Sequence, residues 1–180
     1  MHRTLTHLAS SLALAAVLTS PAAAQDMKAA LLDDFDRMRG NVMMMIEAMP
    51  EAGLRTAPTE SVRDFAQQIE HVVGGNVSIV GSGLDRPASG LGDPEVYLNS
   101  KAELTAYANR GFDQVREMIS SWTAADVRAE KSLFGQATVE QWELAQAAYE
   151  HGVWTLGATV PYVRAQGGAP AGYNLIPGGN

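Results

Sequence analysis

Apolar positions recur at helical spacing in four stretches of the chain, and no stretch alternates convincingly as part of a strand series. In the first, Leu31, Phe35, Met38, Val42, Met45 and Met49 step by four and three in turn, the seam of a bundle helix. Asp33, Asp34, Asp36, Arg37 and Arg39 fill its other faces, and Pro50 ends the run. A second helix is predicted after Pro58, with Thr59-Glu60-Ser61 as capping candidates and Val62, Phe65, Ile69, Val72, Val73 and Val80 as its apolar face. It runs out near Gly81-Ser82-Gly83. The Pro- and Gly-rich stretch from Asp85 to Pro94 then predicts a loop making an antiparallel return. A third helix starts around Ser100, whose hydroxyl can cap it with Glu103 in the capping-box position. Leu104, Tyr107, Phe112, Val115, Met118, Ile119 and Trp122 form its stripe.

Thr123 to Gln136 reads as a polar connection, with Phe134 and Gly135 able to tuck back against the core. The fourth helix, about Val139 to Ala165, differs from the rest. From Leu144 to Val163 its only ionisable side chains, tyrosines aside, are Glu150 and His151. A helix apolar on nearly all sides is expected to be buried. Pro161 should bend it or end its regular part early, because it lacks an N–H. The tail from Gly167 to Asn180, rich in Gly and Pro, is expected along the surface. With no internal repeat and no domain boundary, the pattern predicts an all-α chain folded as an antiparallel four-helix bundle.

The N-terminus changes where that domain begins. Arg3, the apolar run Leu8 to Leu18 and the small residues Ala22-Ala23-Ala24 together read as a signal peptide cleaved before Gln25. The expected organisation is residues 1–24 as the signal and 25–180 as the bundle with its irregular tail, exported to the periplasm or secreted. The apolar run is shorter than the roughly 20 residues a membrane span needs. With no cysteine, the chain offers no lipobox thiol, no disulfide and no thiolate site. About 155 residues remain after cleavage, enough to bury a core without staples. Cleavage removes Arg3 and no acid, taking the formal charge from -7 to -8. An acidic domain without a Lys/Arg run is unsuited to nucleic acid or anionic membrane surfaces.

Candidate chemistry narrows to two residues, since His2 and His7 lie in the signal. His151 is an ionisable ring on an apolar helix, so it needs an acceptor, a metal or a wet pocket. His71 has Gly74, Gly75 and Ser78 beside it, which leaves room next to an imidazole. Yet a helical wheel sets it nearly opposite the apolar stripe, where periodicity alone makes it a surface histidine. Met43, Met44, Met45 and Met49 are better explained as adaptable packing than as soft-metal ligands. No H-E-x-x-H, Walker loop, dinucleotide fingerprint or nucleophile elbow is present.

Several segments together resemble the DinB superfamily over nearly the whole mature length. They are Ala57-Pro58-Thr59-Glu60-Ser61-Val62-Arg63-Asp64-Phe65 leading to Gln68-Ile69-Glu70-His71, then Ser100-Lys101-Ala102-Glu103-Leu104. His151 through Gly157 to Tyr162-Val163-Arg164, and Gly167-Gly168-Ala169-Pro170, complete the likeness. The resemblance implies a four-helix bundle, commonly dimeric, in which many members carry a divalent metal on three histidines. It places His71 at the second-helix ligand and His151 at the first of the two fourth-helix ligands, which share a face at an i, i+4 spacing. The third ligand position falls on Thr155, a neutral hydroxyl poorly suited to zinc or nickel beside imidazole.

Two functions follow from the resemblance. One is a non-catalytic bundle holding a divalent metal weakly through two histidines, or a small molecule, or a partner, with a homodimer through the Met-rich first helix. The other is a metal-dependent thiol S-transferase-like enzyme. In it Thr155 would contact a bound water or substrate, and Tyr162 would donate a hydrogen bond at the same site. The catalytic residues, the ion and the substrate stay open.

Overall fold

In the computed structural model, which describes residues 21–86, 88–170 and 172–176, every residue of the expected first seam is buried. Most of the expected signal segment lies outside the described residues, and helix α1 spans Pro21–Ala48. A single 3-10 turn, Glu51–Gly53, follows Pro50.

Helix α2 (Phe65–Ser82) starts later than its sequence suggested. Thr59 to Ser61 lie in the preceding turn, and Val62 is exposed rather than on the core face. The cap is Asp64, whose carboxylate accepts from the Gln67 backbone N–H at 2.8 Å while the Gln67 side chain accepts from the Asp64 N–H at 3.0 Å. The free carboxylate oxygen pairs with Arg55 at 2.7 Å. A carboxylate that closes a reciprocal box and also holds a guanidinium outcompetes the upstream hydroxyls of Thr59 and Ser61.

The antiparallel return after α2 is made by the loop and not by the next helix. Arg86 reaches Glu117, Gln114 reaches the Ser89 carbonyl, Arg110 reaches the Leu91 carbonyl, and Tyr97 stacks on Tyr107. The segment after Ser82, including the short helix α3 (Pro94–Tyr97), therefore retraces the bundle's length. Helix α4 (Lys101–Ser120) starts from the same end as α2, capped by Ser100 as expected, and runs parallel to it. Contacts pairing Tyr107 with Glu70, Gly111 with Val73 and Met118 with Gly81 fix that direction.

After α4 come a short helix α5 (Ala124–Val127) and a two-stranded antiparallel hairpin, β1 (Glu130–Leu133) with β2 (Ala137–Glu140). The hairpin corrects the reading of this stretch as a plain connection. Its four-residue strands are too short and too polar to show alternation. Phe134 does not tuck back: it stands 56% exposed at the tip, with Gly135, in a turn that holds both at positive φ. Val139 thus belongs to a strand, and helix α6 runs from Gln141 to Gly157. The chain breaks at Ala158-Thr159 before helix α7 (Val160–Ala165), where Pro161 occupies the first turn that tolerates it.

The four long helices form the bundle, with α2 packed between α4 and α6, and α1 between the same two on the other side. Pairs α1/α4 and α2/α6 are antiparallel, and α2/α4 and α1/α6 are parallel. Closeness depends on glycine. A Cβ at Gly111 would lie 2.1 Å from Val73 Cγ1, and one at Gly152 would lie 2.5 Å from Met38 Sδ. Alanine at 111 gains up to about 1 kcal/mol of helix propensity. It also drives a methyl into a buried β-branched neighbour that cannot swing away. Gly111→Ala should therefore lose about 1–2 kcal/mol net. Gly40→Ala, on α1 with open space around its Cβ, should gain up to about 1 kcal/mol. Urea unfolding of both variants checks the contrast.

Candidate metal centre

His71 on α2 and His151 on α6 meet across the seam between their antiparallel helices. Their Nε2 atoms are 3.3 Å apart, and the rings stand nearly perpendicular at 83°. The helical wheel had set His71 on the surface; docking of α6 along that edge makes it half-buried instead. Gly75 permits the approach. A Cβ there would lie 2.3 Å from His151 Cε1 and 2.9 Å from its Nδ1. The small residue on α2 thus makes room for the ring arriving from the other helix.

Both imidazoles are held below their ordinary pKa of 6.5. Burial is the main cause for each. The positive charge of Arg63 adds to it for His71, against a smaller opposing pull from Glu70. For His151 the neighbouring His71 comes next and Arg63 after it. The pair therefore favours the neutral state, the one a metal ligand must adopt. Two neutral rings can share this contact as a hydrogen bond only if one carries its proton on Nε2 and the other on Nδ1. A cation between the two lone pairs satisfies the same spacing. Zinc–nitrogen bonds of about 2.0–2.1 Å at a tetrahedral angle put two nitrogens roughly 3.3–3.4 Å apart.

The remaining donors are less complete. Thr155 is buried one turn beyond His151 on the same face of α6. Among the described residues no group of three or more His, Asp or Glu side chains is arranged to hold an ion. His151 Nδ1 is buried with no hydrogen-bond partner among the described residues. Tyr162, expected to serve the site, has its hydroxyl committed elsewhere. It donates to the Arg63 carbonyl at 2.9 Å and accepts from Gln68 at 3.3 Å. That bond ties α7 to the start of α2 and holds the backbone that carries Arg63. Arg63 itself is exposed and makes no ion pair among the described residues.

Two features were not read from the sequence. Arg63 sat inside a resembling segment without an assigned role, and only the fold brings its charge to both rings. Trp154, one turn from His151 on a helix expected to be buried, is 85% exposed. Its position among apolar residues gave no signal of that, because the wheel shows which faces are apolar and not which are covered.

Comparison with known proteins agrees with this architecture. The family model described as the DinB superfamily matches residues 34–154. A crystal structure of a DinB-like protein from Bacillus subtilis superposes with a TM-score of 0.65 at 18% identity. The match covers 81% of this chain and 97% of that one, and it speaks for the fold alone. A search of curated protein sequences gives no match.

The lowered histidine pKa values carry a sign. Above 6.5 the rings are neutral in both the folded and the unfolded chain, and they contribute no pH dependence. As pH falls below 6.5 the unfolded chain takes up protons first, so stability drops until the folded-state values are passed. Metal-free wild-type protein should lose more melting temperature between pH 7.5 and pH 5 than a His71→Gln, His151→Gln double variant, as followed by circular dichroism.

Proposed function

The chain belongs to the DinB superfamily, and from that premise we propose that it is an exported bundle protein that binds a divalent metal through His71 and His151. The observation that carries this reading is the 3.3 Å separation of the two Nε2 atoms. Their depressed basicity supports it, because neutral imidazole needs no deprotonation to bind. Zinc and nickel suit two imidazole nitrogens, with water or a small ligand in the other positions. Thr155 stands where a third imidazole would complete the set, so the expected affinity is below that of a three-histidine site. When bound, the ion would supply Lewis acidity. The chain's own part is to hold two neutral nitrogens at a fixed distance, with Gly75 keeping the space and burial, reinforced by the charge of Arg63, keeping protons off.

A second reading, a metal-dependent thiol S-transferase-like enzyme, draws on the same two nitrogens. Two protein ligands leave positions open, and an open position on a cation is where a thiolate can land. It requires turnover of a small thiol that depends on both the metal and His71.

Metal content decides between a live and a vestigial site. Protein purified without a histidine tag and loaded with zinc or nickel should retain close to one ion per chain by mass spectrometry. His71→Ala and His151→Ala should lose it. Gly75→Ala should also lose it while still folding, because its new methyl displaces the His151 ring. Thr155→His should tighten binding at least about tenfold, the scale of adding a good ligand interaction. Failure of wild type to bind zinc, nickel or manganese would leave the histidines a structural pair. The export part of the proposal is read separately, as a mature N-terminus at Gln25 in the exported fraction.

A further inference from the structure

A second concavity lies on the far side of α6 from the histidines. It encloses about 470 Å³ between α1, α6, α7 and the tail. That size is typical of small-molecule pockets, which run from about 300 to 1,000 Å³. Met44 and Met45 of α1 face Val153 and Leu156 of α6 and Val160 of α7 across it. Val153 is only two residues from His151, so its side chain leaves the helix on the opposite side. The lining is mostly apolar: Asn41, whose amide is engaged by Asn174, and Tyr173 add polar groups, and Arg164 is the charged residue that borders it. Arg164 is exposed and makes no ion pair or side-chain hydrogen bond among the described residues.

Residues 172–175 cross this cavity as a strap held by its backbone. Buried Asn41 accepts from the Asn174 N–H at 2.9 Å and donates to the Asn174 carbonyl at 3.2 Å. Arg37 donates to the Leu175 carbonyl at 2.8 Å. The Leu175 side chain is nonetheless 75% exposed. Anchoring by main chain keeps the strap over the opening without filling the space beneath it. A largely apolar chamber with a tethered cover and, among the described residues, one unpaired cation at its edge is complementary to an amphiphile with one negative charge.

We propose that this cavity binds a single-chain carboxylate, with the apolar chain between α1 and α6 and the carboxylate on Arg164. The site is independent of the histidine pair. Calorimetry of the mature protein with hexanoate, octanoate and decanoate should show saturable binding that strengthens by about fourfold per methylene buried. Arg164→Gln should weaken decanoate about tenfold, the scale of a charge-assisted hydrogen bond, and leave decanol unchanged. Val153→Trp, which fills the chamber, should abolish both, while His71→Ala should alter neither. Absence of saturable decanoate binding below its micelle range would overturn the proposal. So would an equal loss for acid and alcohol in Arg164→Gln. Sedimentation showing a homodimer that decanoate neither enters nor dissociates, with Val153→Trp breaking that dimer, would assign the face to a second copy instead.

Discussion

The closeness of α2 to its neighbours is the constraint on which the rest of this bundle depends. Three glycines set it. Gly111 lets α4 press against Val73, Gly75 admits the His151 ring, and Gly152 lets α6 settle over Met38 and Asn76. Each lies inside a long helix, where glycine gives up about 0.8–1 kcal/mol of propensity relative to alanine. Burial of Phe65, Ile69, Val72, Val73, Val77 and Val80 on one helix offsets that loss many times over. The histidine contact is thus a by-product of core packing as much as a local feature: remove the close approach and the two nitrogens separate.

Topology follows from the same helix. Because the segment after Ser82 retraces the bundle before α4 begins, α2 can lie parallel to α4 and antiparallel to α6. Only in that arrangement does the middle of α2 face the middle of α6, with Gly75 opposite His151 and, further on, Gly83 against Leu144. A simple up-and-down bundle would have brought α4 back along α2 in the other direction. The Pro- and Gly-rich loop, which reads as a mere connection, is therefore what sets the register of the helices around the site.

Four helices and their seams were legible in the sequence because the apolar period of α1 and α4 is strong and the residues concerned are buried. The start of α2 was misplaced by several residues because Thr59 to Ser61 and Asp64 offer competing caps, and only the position of Arg55 favours the aspartate. The hairpin was invisible: four-residue polar strands carry no period, and a phenylalanine at positive φ contradicts ordinary preference. The histidines themselves could be named, since few titratable groups remain once the signal is set aside. Their meeting could not be read from spacing, because a wheel drawn on one helix says nothing of where its neighbour docks. The DinB resemblance supplied that pairing as an expectation, and the docking of α6 against Gly75 gives it a physical cause.

A purely structural role for the histidine pair accounts poorly for its cost. Burial and Arg63 push both rings toward neutrality, and His151 Nδ1 is buried without a partner among the described residues. Leaving such a group unpaired costs on the order of 1–3 kcal/mol, whereas two apolar side chains of the same volume would carry no such penalty. A cation between the Nε2 atoms would engage both of their lone pairs. It would leave the Nδ1 of His151 as it is. Ligating histidines normally anchor their second nitrogen on a carbonyl or carboxylate, and here His151 has neither. The nitrogen spacing suits two ligands of a metal site while the surroundings lack a third, so an ion bound as proposed would rest on two protein ligands and exchange readily.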